Sequence, residues 1–177
     1  HLKVFSKILY LSFIYMPKKV PQKSTSAQKG GASTGFWLMK SEPDVFSWDM
    51  LKAKGQKGEP WTGVRNYLAR NNMKAMQKGD LAFFYHSNIG KEIVGVMKVI
   101  LEAHPDPEDA TGIWECVDVV AVCDMPRSVT LADIKANSKL SQMSLVTSMR
   151  LSVQPVRKNE WTEICRMGNL PSKLLKR

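Results

Sequence analysis

Short apolar runs of strand length, separated by turn-forming clusters and by helices of a dozen residues or fewer, set the main limit on what this chain can fold into. Phe36-Trp37-Leu38-Met39 reads as a buried strand that stops at Ser41-Glu42-Pro43, because proline cannot continue a hydrogen-bonded ladder. Leu81 to Tyr85, Ile93 to Leu101 and Trp114 to Val122 are three more such runs. They are parted by the turn Asn88-Ile89-Gly90 and the loop His104-Pro105-Asp106-Pro107-Glu108-Asp109. Leu151 to Val156 is a last strand whose Pro155 suits a sheet edge. Between the strands, Ser47 caps a helix from Trp48 to Lys54, and a second helix is expected from about Asn66 to Gln77. Thr130 and Asp133 form a capping box for Leu131 to Ala136, and Lys158 to Met167 closes at Gly168. Unequal strands with short helices and no βαβ alternation predict an α+β fold, a small, curved, partly closed antiparallel β-barrel with peripheral short helices.

At 177 residues the chain is long enough for one well-filled core. The net charge of +10 points toward polyanions, but six of the 26 basic residues lie in 1–35, which holds no acid. That leaves 20 basic against 16 acidic residues in 36–177, so the body is a weak electrostatic clamp and most of the basicity belongs to the tail. Residues 1–35 are expected to be a disordered basic extension, since Met16 to Gly35 has almost nothing to bury, and 171–177 a basic tail. Ile8 to Met16 resembles the apolar region of a signal peptide, yet no small-residue cleavage site follows and the run is too short to span a bilayer. Translation is expected to begin at Met16, with residues 1–15 lying outside the native product. The three cysteines, Cys116, Cys123 and Cys165, lack C-x-x-C pairing and have no histidine at ligand spacing, which predicts a reduced, intracellular, metal-free protein with packing thiols.

The densest chemistry lies in Trp61-Thr62-Gly63-Val64-Arg65-Asn66-Tyr67-Leu68-Ala69-Arg70-Asn71. Asn66 and Arg70 share a helix face at i and i+4, and an amide beside a guanidinium suits a base edge or a phosphate. The alternative is that Asn66 is the helix cap and Arg70 a solvated charge. In Phe83-Phe84-Tyr85-His86-Ser87, alternation puts Phe83, Tyr85 and Ser87 on one face and Phe84 and His86 on the other, which also makes His86 and Ser87 a poor base and nucleophile. Lys40-Ser41 and Arg150-Leu151-Ser152 each set a cation near a hydroxyl at a strand end, a combination for a phosphate or carbonyl; a Lys40–Glu42 ion pair and serine capping are the bland alternatives. Of the five tryptophans, one or two are available for a stacking wall, and Trp161 belongs to the core.

The strings Trp37-Leu38-Met39-Lys40-Ser41-Glu42-Pro43, Trp61-x-Gly63-Val64-Arg65-Asn66-Tyr67-x-Ala69-Arg70-Asn71, Phe84-Tyr85-His86-Ser87 and Arg150-Leu151-Ser152-Val153-x-Pro155 closely resemble the signature blocks of the EVE domain, the family of thymocyte nuclear protein and its bacterial relatives. They stand in family order, and the domain is placed at 36–170. The resemblance implies a PUA-like fold and non-catalytic binding of a modified nucleobase or nucleotide, in DNA or RNA, with no cofactor or metal. Carried over residue by residue, it implies a ligand site of Lys40, Ser41, Trp61, Arg65, Asn66, Arg70, Tyr85, His86, Ser87, Arg150 and Ser152. Trp61 and Tyr85 are the expected stacking faces, and Asn66, Arg70, Lys40 and Arg150 the edge or phosphate contacts. The expected partner is modified nucleic acid or a nucleotide, taken up by a monomer away from any membrane. This reading requires one hollow shared by Asn66, Arg70, Tyr85 and Arg150. Two departures stand out: the loop from Ala103 to Ile113 looks short for a eukaryotic member, and Arg157-Lys158-Asn159 replaces a Thr-Pro cap, leaving Asn159 as a later cap. An enzyme acting on a small nucleotide-like compound through Lys40 or His86, and a protein-interaction module, are the competing functions.

Overall fold

All four residues of Phe36-Trp37-Leu38-Met39 are buried, so this strand sits in a sheet covered on both faces. The computed structural model of the protein describes residues 35–171 and residue 173. The expectations of a disordered extension, a start at Met16 and a basic C-terminal tail fall on 1–34 and 172–177, nearly all outside the described residues. In chain order the elements are β1 (Phe36–Ser41), α1 (Trp48–Ala53), β2 (Glu59–Pro60), α2 (Tyr67–Ala75), β3 (Leu81–His86), β4 (Glu92–Pro105), β5 (Glu115–Thr130), α3 (Leu131–Ala136), α4 (Ser144–Thr147), β6 (Val153–Pro155) and α5 (Lys158–Met167). Short 3-10 turns at Gly55–Lys57 and Ser138–Leu140 complete the set.

The six strands form one sheet in the order β2-β5-β4-β3-β1-β6. The α+β class holds, but two features correct the expected barrel. The sheet is open, and it is mixed: β1 and β3 run parallel, Phe36 facing Leu81 through Ser41 facing His86. A parallel pair needs a crossover of a dozen residues or more, and here α1, β2 and α2 all lie within it, a βαβ-like unit that the short helices disguise. The open ends are two and three residues long and carry Pro60 and Pro155, which lack the N–H groups that closure would use.

Period-two alternation divides the core between the two sheet faces. Phe36, Leu38, Phe83, Tyr85, Ile93 and Val96 face α3, α4 and α5, and the ring of Trp161 stacks between Phe36 (4.5 Å) and Phe83 (4.0 Å). Trp37, Met39, Phe84, Met97 and Val99 face α1 and α2, where Trp48, Leu51, Ala69 and Met73 meet them. Close approach on this second side requires Gly95, because a Cβ there would run into the indole of Trp48.

The expected caps at α1 and α3 are present. The Ser47 hydroxyl accepts from the Met50 N–H at 3.2 Å, and Thr130 and Asp133 exchange bonds at 3.0 and 3.1 Å. α5 begins earlier than Asn159 allows: the Arg157 N–H donates to Glu160, and Asn159 lies inside the helix. β4 and β5 run well past their expected ends because register shifts along the hairpin absorb residues that read as breakers, Pro126 among them.

Candidate functional site

Three chain segments converge beside the α1–α2 face. The end of β1 delivers Lys40 and Ser41. β6 pairs alongside it, and the Lys40 N–H donates to the Ser152 carbonyl at 2.9 Å, so Ser152 arrives at the same place. Buried Gln154 holds the preceding turn, its amide donating to the carbonyls of Ser148 (3.0 Å) and Leu151 (2.9 Å). The third segment leaves β2 as Trp61-Thr62-Gly63-Val64-Arg65, pinned to β5 by the Trp61 N–H on the Val117 carbonyl at 2.8 Å.

Together they wall a hollow of about 460 Å³ that includes Lys40, Ser41, Phe46, Trp61, Arg65 and Ser152, within the usual size range of a small-molecule site. Trp61 meets Phe46 and Phe84 edge-on, with ring centroids 6.1 and 5.3 Å away. The lining charges are mostly compensated. Lys54 pairs with Glu59 at 2.9 Å and Arg65 with Asp106 at 2.7 Å. Lys40 differs: its ammonium donates to the Met149 carbonyl at 2.7 Å, and burial lowers its pKa. The same ammonium lies 5.9 Å from the centroid of the Tyr85 ring, and Met149 and Tyr85 both line a neighbouring hollow.

Asp106, which the sequence reading did not single out, organises the wall. It is 3% exposed and accepts from the Gly63 N–H (3.0 Å), the Arg65 guanidinium (2.7 Å) and the Glu108 N–H (2.8 Å). Burial pushes its carboxyl up, but Arg65 and the two backbone donors outweigh that and hold it below the ordinary value. Gly63 takes φ = +78°, a left-handed conformation that turns its N–H toward Asp106; space is open around it, so conformation alone calls for glycine. The Thr62 hydroxyl adds a bond to Glu108 at 2.9 Å. The Ala103–Ile113 loop therefore does make contacts that matter at the site. The only forewarning was its acid-rich, proline-flanked sequence.

The remaining expected site residues lie elsewhere, which corrects the expectation of one hollow shared by Asn66, Arg70, Tyr85 and Arg150. Asn66 is the N-cap of α2, its side-chain oxygen accepting from the Ala69 N–H at 3.0 Å. Arg70 lies over Tyr67 and Trp114 and donates to the Ile113 carbonyl at 2.9 Å. Tyr85 and Ser87 line a separate hollow of about 200 Å³ on the other side of Lys40; Tyr85 is 3% exposed, and burial raises its pKa to about 12. His86 Nε2 accepts from the Trp48 N–H at 3.2 Å, satisfying an orphan donor at the start of α1, and burial lowers its pKa despite Glu92 and Asp49. Arg150 is exposed on the turn before β6. Among the described residues no helix is long and apolar enough to cross a membrane.

Human thymocyte nuclear protein 1 is 38% identical over an alignment that covers 80% of this chain and 77% of that protein. A solved Agrobacterium tumefaciens protein superposes with a TM-score of 0.73 at 61% identity, covering 76% of this chain and 93% of that one. The structure of human THYN1 protein in complex with 5-methylcytosine containing DNA superposes with a TM-score of 0.70 at 36% identity, covering 77% and 98%. The EVE domain model matches residues 35–167, essentially the whole described body, and the chain belongs to the EVE domain family.

Proposed function

We propose that this protein binds a modified base of DNA in the hollow between Trp61 and Lys40, without acting on it chemically. The observation that carries the reading is the hollow itself, lined by the aromatic residues Trp61 and Phe46 and by Lys40, Ser41 and Ser152, with the neighbouring cations Lys54 and Arg65 already paired to acids. Such a lining suits a flat, uncharged ring with polar edges better than a phosphate, which draws on cations with no carboxylate partner. The human relative solved with 5-methylcytosine DNA supports the same ligand class. A base inside a duplex cannot reach a hollow of this kind, so binding requires it to leave the stack, and the cost is lowest for a mismatched or single-stranded base. Lys40, Ser41 and Ser152 then read the polar edge while Trp61 and Phe46 take the ring. Arg65 orders the wall through Asp106. Asn66, Arg70, Tyr85, His86, Ser87 and Arg150 act from outside this hollow, as cap, surface or neighbouring contacts.

The test is the affinity for matched oligonucleotides with and without 5-methylcytosine, measured by fluorescence anisotropy for the natural protein and for Trp61→Ala. Loss of one stacking face is worth about 1–3 kcal/mol, so Trp61→Ala should weaken methylated DNA by roughly tenfold or more. A natural protein that binds both oligonucleotides equally, or a folded Trp61→Ala with undiminished affinity, overturns the reading.

A further inference from the structure

The β4–β5 hairpin gathers three donors of different type outside the hollow. In the register Leu101 faces Asp118 and His104 faces Cys116, so β4 takes three steps where β5 takes two. The extra residue turns His104 onto the face that Cys116 and Asp118 already share as i and i+2. His104 Nε2 stands 2.8 Å from Asp118 Oδ1, and Cys116 Sγ lies 3.7 and 3.8 Å from the two ring nitrogens. All three donor atoms fall within 4.8 Å of one another.

The Sγ···Nε2 separation is close to that of a tetrahedral zinc site, while the 2.8 Å Nε2···Oδ1 separation is a hydrogen-bond distance that must open by about 0.5 Å for both atoms to hold one ion. Bond lengths of about 2.3 Å to sulfur and about 2.0 Å to nitrogen and oxygen put S···N near about 3.5 Å and N···O near about 3.3 Å. In its neutral form the imidazole also faces a hydrogen-bonding conflict. Nδ1 lies 3.1 Å from the Pro105 carbonyl while Nε2 faces the carboxylate, and both partners accept only. A neutral ring has one N–H, so it satisfies one of them and turns a lone pair on the other. A cation held between Nε2, Asp118 and Cys116 removes the conflict and leaves Nδ1–H for Pro105, the outer bond that orients a metal-bound histidine. The Cys116 side is fully buried, while the side chains of His104 and Asp118 are 28% and 21% exposed, which gives an ion a way in and leaves a fourth position open to water.

We propose that His104, Cys116 and Asp118 form a binding site for one divalent transition-metal cation of the zinc class. Spacing along the chain hid it, because His104 and Cys116 are brought together only by the hairpin register. The site sits two residues before Asp106, so a bound ion would stiffen the loop that grips Gly63 and Arg65.

The experiment titrates the full-length reduced protein, stripped with chelator, with Co²⁺ and then Zn²⁺. One equivalent of Co²⁺ should give tetrahedral d–d bands and a thiolate-to-cobalt charge-transfer band, both displaced by Zn²⁺. Cys116→Ser should abolish the charge-transfer band, Cys123→Ser should keep it, and His104→Gln and Asp118→Asn should each weaken Zn²⁺ binding at least tenfold. The last two variants alter partly exposed side chains, so they keep the test alive if Cys116→Ser fails to fold. Absence of a thiolate-to-cobalt band in the natural protein overturns the proposal, as does Zn²⁺ binding that neither His104→Gln nor Asp118→Asn weakens.

Discussion

Replacing Asp106 with alanine tests how the wall of the hollow is held. The carboxylate accepts three bonds, at 2.7, 2.8 and 3.0 Å, from Arg65, Glu108 and Gly63. Bonds to a charged acceptor are each worth about 1.5–3 kcal/mol when shielded. The Arg65 side chain is 39% exposed, and Gly63 and Glu108 are also surface residues, so water replaces part of what is lost. About 1 kcal/mol per bond is then reasonable, giving a loss of about 2–3 kcal/mol and a Tm lowered by on the order of 10 °C. Asp106→Asn keeps one acceptor oxygen and should fall between the two. Urea unfolding followed by tryptophan fluorescence measures the difference, and binding of 5-methylcytosine DNA by the folded variant measures whether the Trp61–Arg65 wall has loosened. If Asp106→Ala unfolds within about 0.5 kcal/mol of the natural protein and binds DNA unchanged, the three bonds do not hold the wall.

Gly95→Ala drives a methyl group into the Trp48 ring and should cost about 1–3 kcal/mol in the same assay; a neutral effect would mean that α1 shifts freely. Asn66→Ala should lower stability by about 1 kcal/mol through loss of the α2 cap, and Asn66→Ser should restore it; DNA affinity that stays low in the serine variant would show that the amide touches the ligand after all. Acid should destabilise the fold through Glu163, whose carboxyl is held down to about 2 by Arg166, Asn137 and Lys139. A depressed carboxyl contributes its stability above the unfolded value and loses it as protons bind, so ΔG of unfolding should fall between pH about 4.5 and pH about 2, and Glu163→Gln should flatten that slope. A slope identical in Glu163→Gln would remove Glu163 as its source.

Local signals in the sequence identified the elements well and their pairing poorly. The boxes at Ser47 and Thr130 act over three residues, so they read directly from the chain and appear as expected. The parallel β1–β3 pair did not, because its crossover contains two short helices and a two-residue strand in place of one long helix. Pro105, Asp124 and Pro126 look like strand breakers, yet the hairpin carries them through by slipping register, which no local pattern reveals. At the candidate site, Lys40, Ser41 and Ser152 stood out as a cation and hydroxyls at strand ends and Trp61 and Arg65 followed from the family resemblance, and all five line one hollow. Asn66 illustrates the opposite: one amide fits both a cap and a base edge, and the 3.0 Å bond from the Ala69 N–H establishes the cap. Asp106 escaped notice because an aspartate among prolines and acids reads as solvated until the loop is seen folding it inward.

The sheet separates two apolar clusters that share no residue, so the packing on the Trp161 side is built apart from the packing that holds Trp61. Substitutions around the Phe36–Trp161–Phe83 stack change how firmly the molecule stands without removing a side chain from the cluster that holds Trp61. Stabilising mutations gathered there supply a reserve against which the Trp61–Arg65 segment and its neighbours can vary, so a change of ligand preference need not begin with a loss of the fold.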